Sequence, residues 1–226
     1  NGPQKYGIFN DQANLRSLAF SFRVALAVTC ISTFLGTCAA FLFEQEDFRF
    51  KGALYFLMIA PLVIPGVILG ISILMFANTV GIFIEDLTGI YVKSLVPGFW
   101  LVALGQSSFI STIVALVVSA RLKKFDRSLE EAAYNLGANR VEVLRYVTLP
   151  FLRPSILGGA AVAFLMSFEN FNTTIFTVGS QATLPINMYM QVRDGSTPVI
   201  NAISFLLITG TSIFAVANLY LRKKEE

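Results

Sequence analysis

Apolar residues in this chain come in long runs separated by short polar intervals, and strict every-second-residue alternation is absent. A helix needs roughly 20 mostly apolar residues to cross a bilayer. Five runs reach that length, at about 24–43, 53–78, 96–120, 155–178 and 199–221. Unpaired strand edges cannot be satisfied in hydrocarbon, and nothing here repeats like a barrel strand, so the runs predict helices. The expected fold class is all-α: a polytopic membrane helix bundle, with residues 1–226 forming a single transmembrane domain.

The interval 121–154 breaks the pattern. Within it, Ser128-Leu-Glu-Glu131 reads as a capping box that starts a helix near Leu129. Leu129, Ala132, Ala133 and Leu136 then fall at i, i+3, i+4 and i+7, an apolar stripe on one face. Gly137 supplies a left-handed stop. Asn139-Arg-Val-Glu142 repeats the cap pattern, and a second helix is expected through Val141, Leu144 and Val147 as far as Pro150. Each helix would be only about 13 Å long, too short to cross a membrane. Two amphipathic helices on a glycine elbow could lie on the bilayer surface. However, Glu130 and Glu131 beside the stripe are poor company for an anionic leaflet, and a groove on a partner protein suits them better.

Pro61 and Pro65-Gly66 predict a kink inside the 53–78 run. Gly66 with Gly70, and Gly36 with Ala40, have the four-residue spacing of small side chains that lets membrane helices approach closely. A kinked helix serves either packing or gating, and the pattern leaves both open. Trp100 and Tyr91 stand where interfacial belt residues are expected.

Composition excludes an ordinary soluble domain: 55% of the 226 residues are hydrophobic, 21 are Phe and only 14% are charged, and the mean hydropathy is +0.67. Charge adds an orientation. Of the 17 Lys and Arg, Arg49, Lys51, Arg121, Lys123, Lys124, Arg127, Arg140, Arg145, Arg153, Arg222, Lys223 and Lys224 lie at one set of run ends. Only Lys5, Arg16, Arg23, Lys93 and Arg193 lie at the other. The positive-inside rule places the first set in the cytoplasm. Asn1 is then outside with no signal peptide to carry it there, so a sixth span upstream of residue 1 is expected. Cys30 and Cys38 would be separated by roughly 12 Å on one helix, too far to bridge. Without any His, they build no metal site.

One acid lies deep in an apolar run, Glu169 in "AFLMSFENFNTTIFTVG". Counted along a helix from Ser155 it sits roughly 21 Å in, beyond the midplane toward the outer side. An ionised carboxylate there costs on the order of 3 kcal/mol or more, so compensation is expected. Asn172, Thr173 and Phe176 follow at i+3, i+4 and i+7, predicting a polar face that ends in a ring and turns into a cavity between subunits. An interhelical hydrogen-bond cluster, or an ion pair with an arginine of another chain, is the competing structural reading. With Phe168, Phe171 and Phe176 around it, the carboxylate suits an organic cation, through charge pairing and cation–π contacts. An intramembrane enzyme would need paired acids or a nucleophile with its base. Glu169 has neither His nor Lys nearby, so neither catalytic nor metal-binding residues are expected.

Glu131-Ala132-Ala133, three residues, Gly137, nine residues, then Val147-Thr-Leu149-Pro150 resembles the EAA signature of permease subunits in binding-protein-dependent ABC importers. Val147 stands where that signature has Ile. The likeness extends over essentially the whole chain. It implies a permease domain whose segment 128–150 docks in a cleft of a cytoplasmic ATPase, with Glu131, Ala132, Ala133, Gly137, Leu149 and Pro150 as coupling residues. It further implies a homologous second permease, two ATPase subunits that bind ATP and Mg, an extracytoplasmic substrate-binding protein, and a multi-pass location in the bacterial cytoplasmic (inner) membrane. Membrane lipid is then a partner and nucleic acid is not. The chain has no G-x-x-x-x-G-K-[ST] phosphate loop of its own, so no cofactor is expected in it. "SFENFNTTIFTVG" followed by "LPINMYMQVRDGSTPVINAIS" is most similar to the C-type permease of spermidine/putrescine importers. That likeness implies a polyamine or another organic cation as solute, with Glu169, Asn172, Thr173 and Phe176 along its path. Permeases for quaternary amines, phosphonates or amino acids are alternatives. A channel would explain the spans and kinks but not the capped double helix.

Overall fold

Backbone groups in an apolar run have no water to bond to, so they pair within the run; in the computed structural model every element among the described residues is a helix or a helical turn. The structure describes residues 12–193 and, beyond them, only Phe205, Leu206, 208–210, Ser212 and Ile213. The run expected at 199–221 therefore lies almost wholly outside the described residues. In order come α1 (Gln12–Gln45), α2 (Lys51–Val63), α3 (Gly66–Thr88), a 3-10 turn (Lys93–Leu95), α4 (Phe99–Leu122), α5 (Ser128–Asn135) and α6 (Arg140–Val143). A π-helical segment (Leu144–Thr148), α7 (Leu149–Phe168), α8 (Thr174–Thr177) and α9 (Leu184–Arg193) follow. Among the described residues, α1, α3, α4 and the continuous run Arg140–Phe168 are long and apolar enough to cross a membrane.

The chain divides into two compact units, Ser21–Gln181 on one side and Asn1–Phe20 with Ala182–Glu226 on the other. In the larger unit α4 is the core helix, and Val102, Gln106, Ile110, Val114 and Val118 on it are fully buried. Small residues on its neighbours bring their backbones close. A Cβ built on Gly36 of α1 would lie 2.6 Å from Ser111 O and 2.7 Å from Val114 Cβ, and one on Gly159 of α7 would lie 3.2 Å from Val114 Cγ1. In the smaller unit the polar side chains hold α1 to α9, since Asn187 and Gln191 both donate to Asn14 Oδ1, at 2.6 and 2.7 Å.

The single kinked span expected at 53–78 is two helices. Pro65 disfavours the helical region for the residue before it, and Ile64 is extended at φ −78° and ψ 130°. Pro61, by contrast, stays inside α2. The Thr112 hydroxyl of α4 donates to Met58 O, three residues before Pro61, at 2.7 Å, and ties this turn of α2 to the core helix. Gly66 and Gly70 do work as close-approach sites, yet they face a turn rather than another span: Cβ atoms there would lie 3.0 Å from Asn172 Cβ and 2.9 Å from Thr173 O.

The second loop helix does not stop at Pro150 as expected. It continues without a break into the next span, from Arg140 to Phe168. The π segment is the reason. Its wider turn lets Leu149 N–H reach back to Leu144 O, and Pro150 follows at the change from π to α geometry, where the widened turn makes room for its ring.

Candidate functional site

Two regions of the larger unit carry the residues singled out above, the loop 121–154 and the turn after α7.

In the loop, α5 starts one residue earlier than the sequence predicts, and its N-cap residue Arg127 makes no side-chain cap bond. The Glu131 N–H expected on the Ser128 hydroxyl goes to Arg127 O at 3.2 Å, and Asp126 Oδ1 accepts the Ser128 N–H at 3.0 Å. That backbone bond, helped by the Ser128 hydroxyl, holds the Asp126 carboxyl below its ordinary range. The contribution to stability is present at neutral pH and is lost as pH falls through the depressed value. The elbow forms as expected. Gly137 has φ +91°, and Ala138 N–H closes the turn on Ala133 O at 3.1 Å. The second cap is a complete capping box. Asn139 Oδ1 accepts from Val141 N and Glu142 N, and Glu142 Oε2 accepts the Asn139 N–H at 2.8 Å. Replacing Asn139 with Ala removes the side-chain arm, leaving Val141 N–H and Glu142 N–H without their acceptor, and should cost about 1 kcal/mol. A drop of a few degrees in the thermal midpoint of the purified complex, with solute preference unchanged, is the expected reading.

Ties to the spanning helices fix this loop. Thr148 donates to Glu130 at 2.5 Å, Arg127 donates to the Glu44 carbonyl at the end of α1 at 3.1 Å, and Arg121 lies over the Phe151 ring at 4.2 Å. What the ties leave outward is apolar: Leu129 is 51% exposed, Leu136 90% and Val141 71%. Glu131, Ala132, Gly137, Leu149 and Pro150 are exposed as well, and Ala133 is half-buried. A cleft of about 970 Å³ opens beside them, between α1 and the loop, with Phe34, Phe41, Glu46, Tyr134 and Arg140 among its lining residues. Exposed apolar side chains on a rigid polar loop mark a contact surface.

At the other region the predicted helical face is corrected. α7 ends at Phe168 and Glu169 is its C-cap, so Glu169, Asn172, Thr173 and Phe176 do not form one stripe. Asn170, Asn172 and Thr173 favour side-chain bonds that compete with the helix. Glu169 and Asn172 are exposed, Phe176 is half-buried, and Thr173 is buried with its hydroxyl 3.4 Å from Gly66 O. Glu169 thus stands at the C-terminal, negative end of a 20-residue helix. That position disfavours an acid unless a cation is near.

Behind this turn lies a feature the sequence reading missed. Gln106 of α4, fully buried, accepts from Ser167 Oγ and donates to Thr174 Oγ1 at 2.7 Å, and Thr174 Oγ1 donates to Asn170 Oδ1 at 2.9 Å. A lone amide in the run "FWLVALGQSSF" was the available signal.

Residues 24–225 match the profile of the family described as "Binding-protein-dependent transport system inner membrane component". The chain belongs to that family. It is a permease of the inner membrane with several apolar spanning helices. It is 32% identical to the putrescine transport system permease protein PotI of Escherichia coli K12, over 98% of this chain and 77% of that one. It is 26% identical to the spermidine/putrescine transport system permease protein PotC of Haemophilus influenzae, over 96% of this chain and 80% of the relative. The fold is also that of a solved bacterial ABC transporter involved in import of the acidic polysaccharide alginate, with a TM-score of 0.74 at 16% identity over 96% and 81% of the two chains.

Proposed function

We propose that this permease forms one half of the path for a polyamine or another small organic cation, and that separate ATPase subunits docking on the loop 121–154 drive it. The observation that carries the solute is Glu169 at the C-terminal end of α7. The carboxylate adds to the partial negative charge of the helix end, and broken helices in transporters place such ends toward cations. The names of the two relatives, both polyamine permeases, support the same class. The exposed stripe of Leu129, Leu136 and Val141 beside the Glu131-Ala132-Ala133 motif supports the docking role. One such chain pairs with a homologous permease, two ATPase copies hold ATP and Mg, and an extracytoplasmic receptor delivers the solute. In this reading hydrolysis belongs to the ATPase copies, and this permease supplies the path.

Glu169→Gln is the test. It keeps the side chain's shape and hydrogen-bonding capacity and removes the charge. Uptake of putrescine by the reconstituted importer should fall about tenfold or more, while assembly and ATP hydrolysis persist. A structural ion pair with an arginine of another chain would instead lower assembly and thermal stability first. A stable Glu169→Gln importer with normal uptake would overturn the cation reading.

A further inference from the structure

We infer that Gln106 is the positioning residue for the Glu169 turn, an inference that rests on the solute role proposed for Glu169. The turn has no proline or glycine to fix it: residues 167–174 read Ser-Phe-Glu-Asn-Phe-Asn-Thr-Thr. Its second half rests on Gly66 and Gly70 of α3; its first half, which carries Glu169, is tied from outside through one side chain of the neighbouring core helix. Ser167 precedes Glu169 by two positions and Asn170 follows it directly, and both are held by the chain of bonds that passes through Gln106. The Ser167 hydroxyl donates to Gln106 Oε1, Gln106 Nε2 donates to Thr174 Oγ1 at 2.7 Å, and the Thr174 hydroxyl donates on to Asn170 Oδ1 at 2.9 Å. Thr174 spends its one proton on Asn170, so it can only accept from Gln106, and the amide oxygen of Gln106 is left to Ser167.

Burial makes the chain decisive. Gln106 and Thr174 are fully buried and Ser167 is 4% exposed, so no water competes for these bonds and a missing partner leaves a buried polar group unpaired. Glu169 itself is exposed and has no other fixed place to point from than the backbone that this clamp holds. Gln106 therefore need not touch the solute. It sets where the carboxylate stands at the end of α7.

The test is a double-variant cycle on the complete importer in proteoliposomes, with binding protein saturated by putrescine, reading putrescine moved per ATP hydrolysed. Gln106→Met keeps the volume and removes both bonds, and Thr174→Val cuts the same chain at its next link. Each should lower the ratio about tenfold, and Thr174→Ser, which keeps the hydroxyl, should restore it. Neither should lower it further in a Glu169→Gln background. A merely structural role would reduce the amount of assembled importer, with uptake and hydrolysis falling together and the ratio unchanged. That outcome overturns the inference, and so does a fall in the ratio that persists undiminished in Glu169→Gln. Should Gln106→Met fail to assemble, Thr174→Val and Thr174→Ser decide it. Normal uptake by Glu169→Gln alone would instead remove the solute role and the clamp's purpose with it, a result visible before any Gln106 variant is read.

Discussion

Gly137→Val should abolish most transport while leaving the chain inserted in the membrane. Gly137 adopts φ +91°, a region that non-glycine residues enter at a cost of about 1–3 kcal/mol, with β-branched residues worst placed. Space is not the obstacle, because a Cβ at this position would meet nothing within 4 Å. The effect is one of backbone only, which makes it specific. The valine would push the elbow out of the left-handed region, break the Ala138 N–H to Ala133 O closure, and turn α5 away from α6. The apolar side chains Leu129, Leu136 and Val141 would then no longer present one surface. Uptake should drop more than about tenfold, whereas Gly137→Asn, which tolerates the left-handed region better, should retain most of it. Wild-type uptake by Gly137→Val would show that the elbow transmits nothing.

Within the described helices, Gly36 should be the glycine least able to accept a side chain. An added Cβ would lie 2.6 Å from Ser111 O, 2.7 Å from Val114 Cβ and 2.9 Å from Ala115 N. Two of those atoms are α4 backbone and cannot swing aside. Even Gly36→Ala forces α1 away from α4, at an overpacking cost of about 1–3 kcal/mol, and Gly36→Leu should prevent assembly altogether. Gly52→Ala is the matched control. Nothing lies within 4 Å of its Cβ and it sits in α2, so the change should stabilise by about 0.5–1 kcal/mol through helix propensity. Thermal midpoints of purified Gly36→Ala and Gly52→Ala against wild type measure both effects; equal midpoints for Gly36→Ala and wild type would contradict the tight crossing.

Why some of this was legible in the sequence and some was not follows from where each signal resides. Spanning helices are written in local hydropathy, so α1, α4 and the core of α7 lie under apolar runs. The left-handed Gly137 was legible too, and so was a disturbance at Pro65, because proline and glycine act on their own backbone, although the kink expected there is a full break into two helices. The end of α7 was not. It depends on Ser167 and Thr174 meeting Gln106, a residue on another helix, and no local rule foresees that partner. Pro150 misled for a similar reason, since a π turn absorbs a proline that an ordinary helical ladder would reject. The capping box expected at Ser128 does not form, because α5 begins at Ser128 itself and the Glu131 N–H is taken by the Arg127 carbonyl.

The measurement that tests the central claim most directly is solute uptake by proteoliposomes holding this permease with its partner permease, the ATPase and the loaded binding protein, challenged with a panel of putrescine, spermidine, a quaternary amine, a phosphonate and an amino acid. The prediction is uptake that needs ATP and this chain, favours the two polyamines, and is lost when the ATPase is left out. Transport of the phosphonate in preference to the polyamines would contradict the cation path. Ion conductance by this chain alone, without ATPase or ATP, would contradict the importer itself.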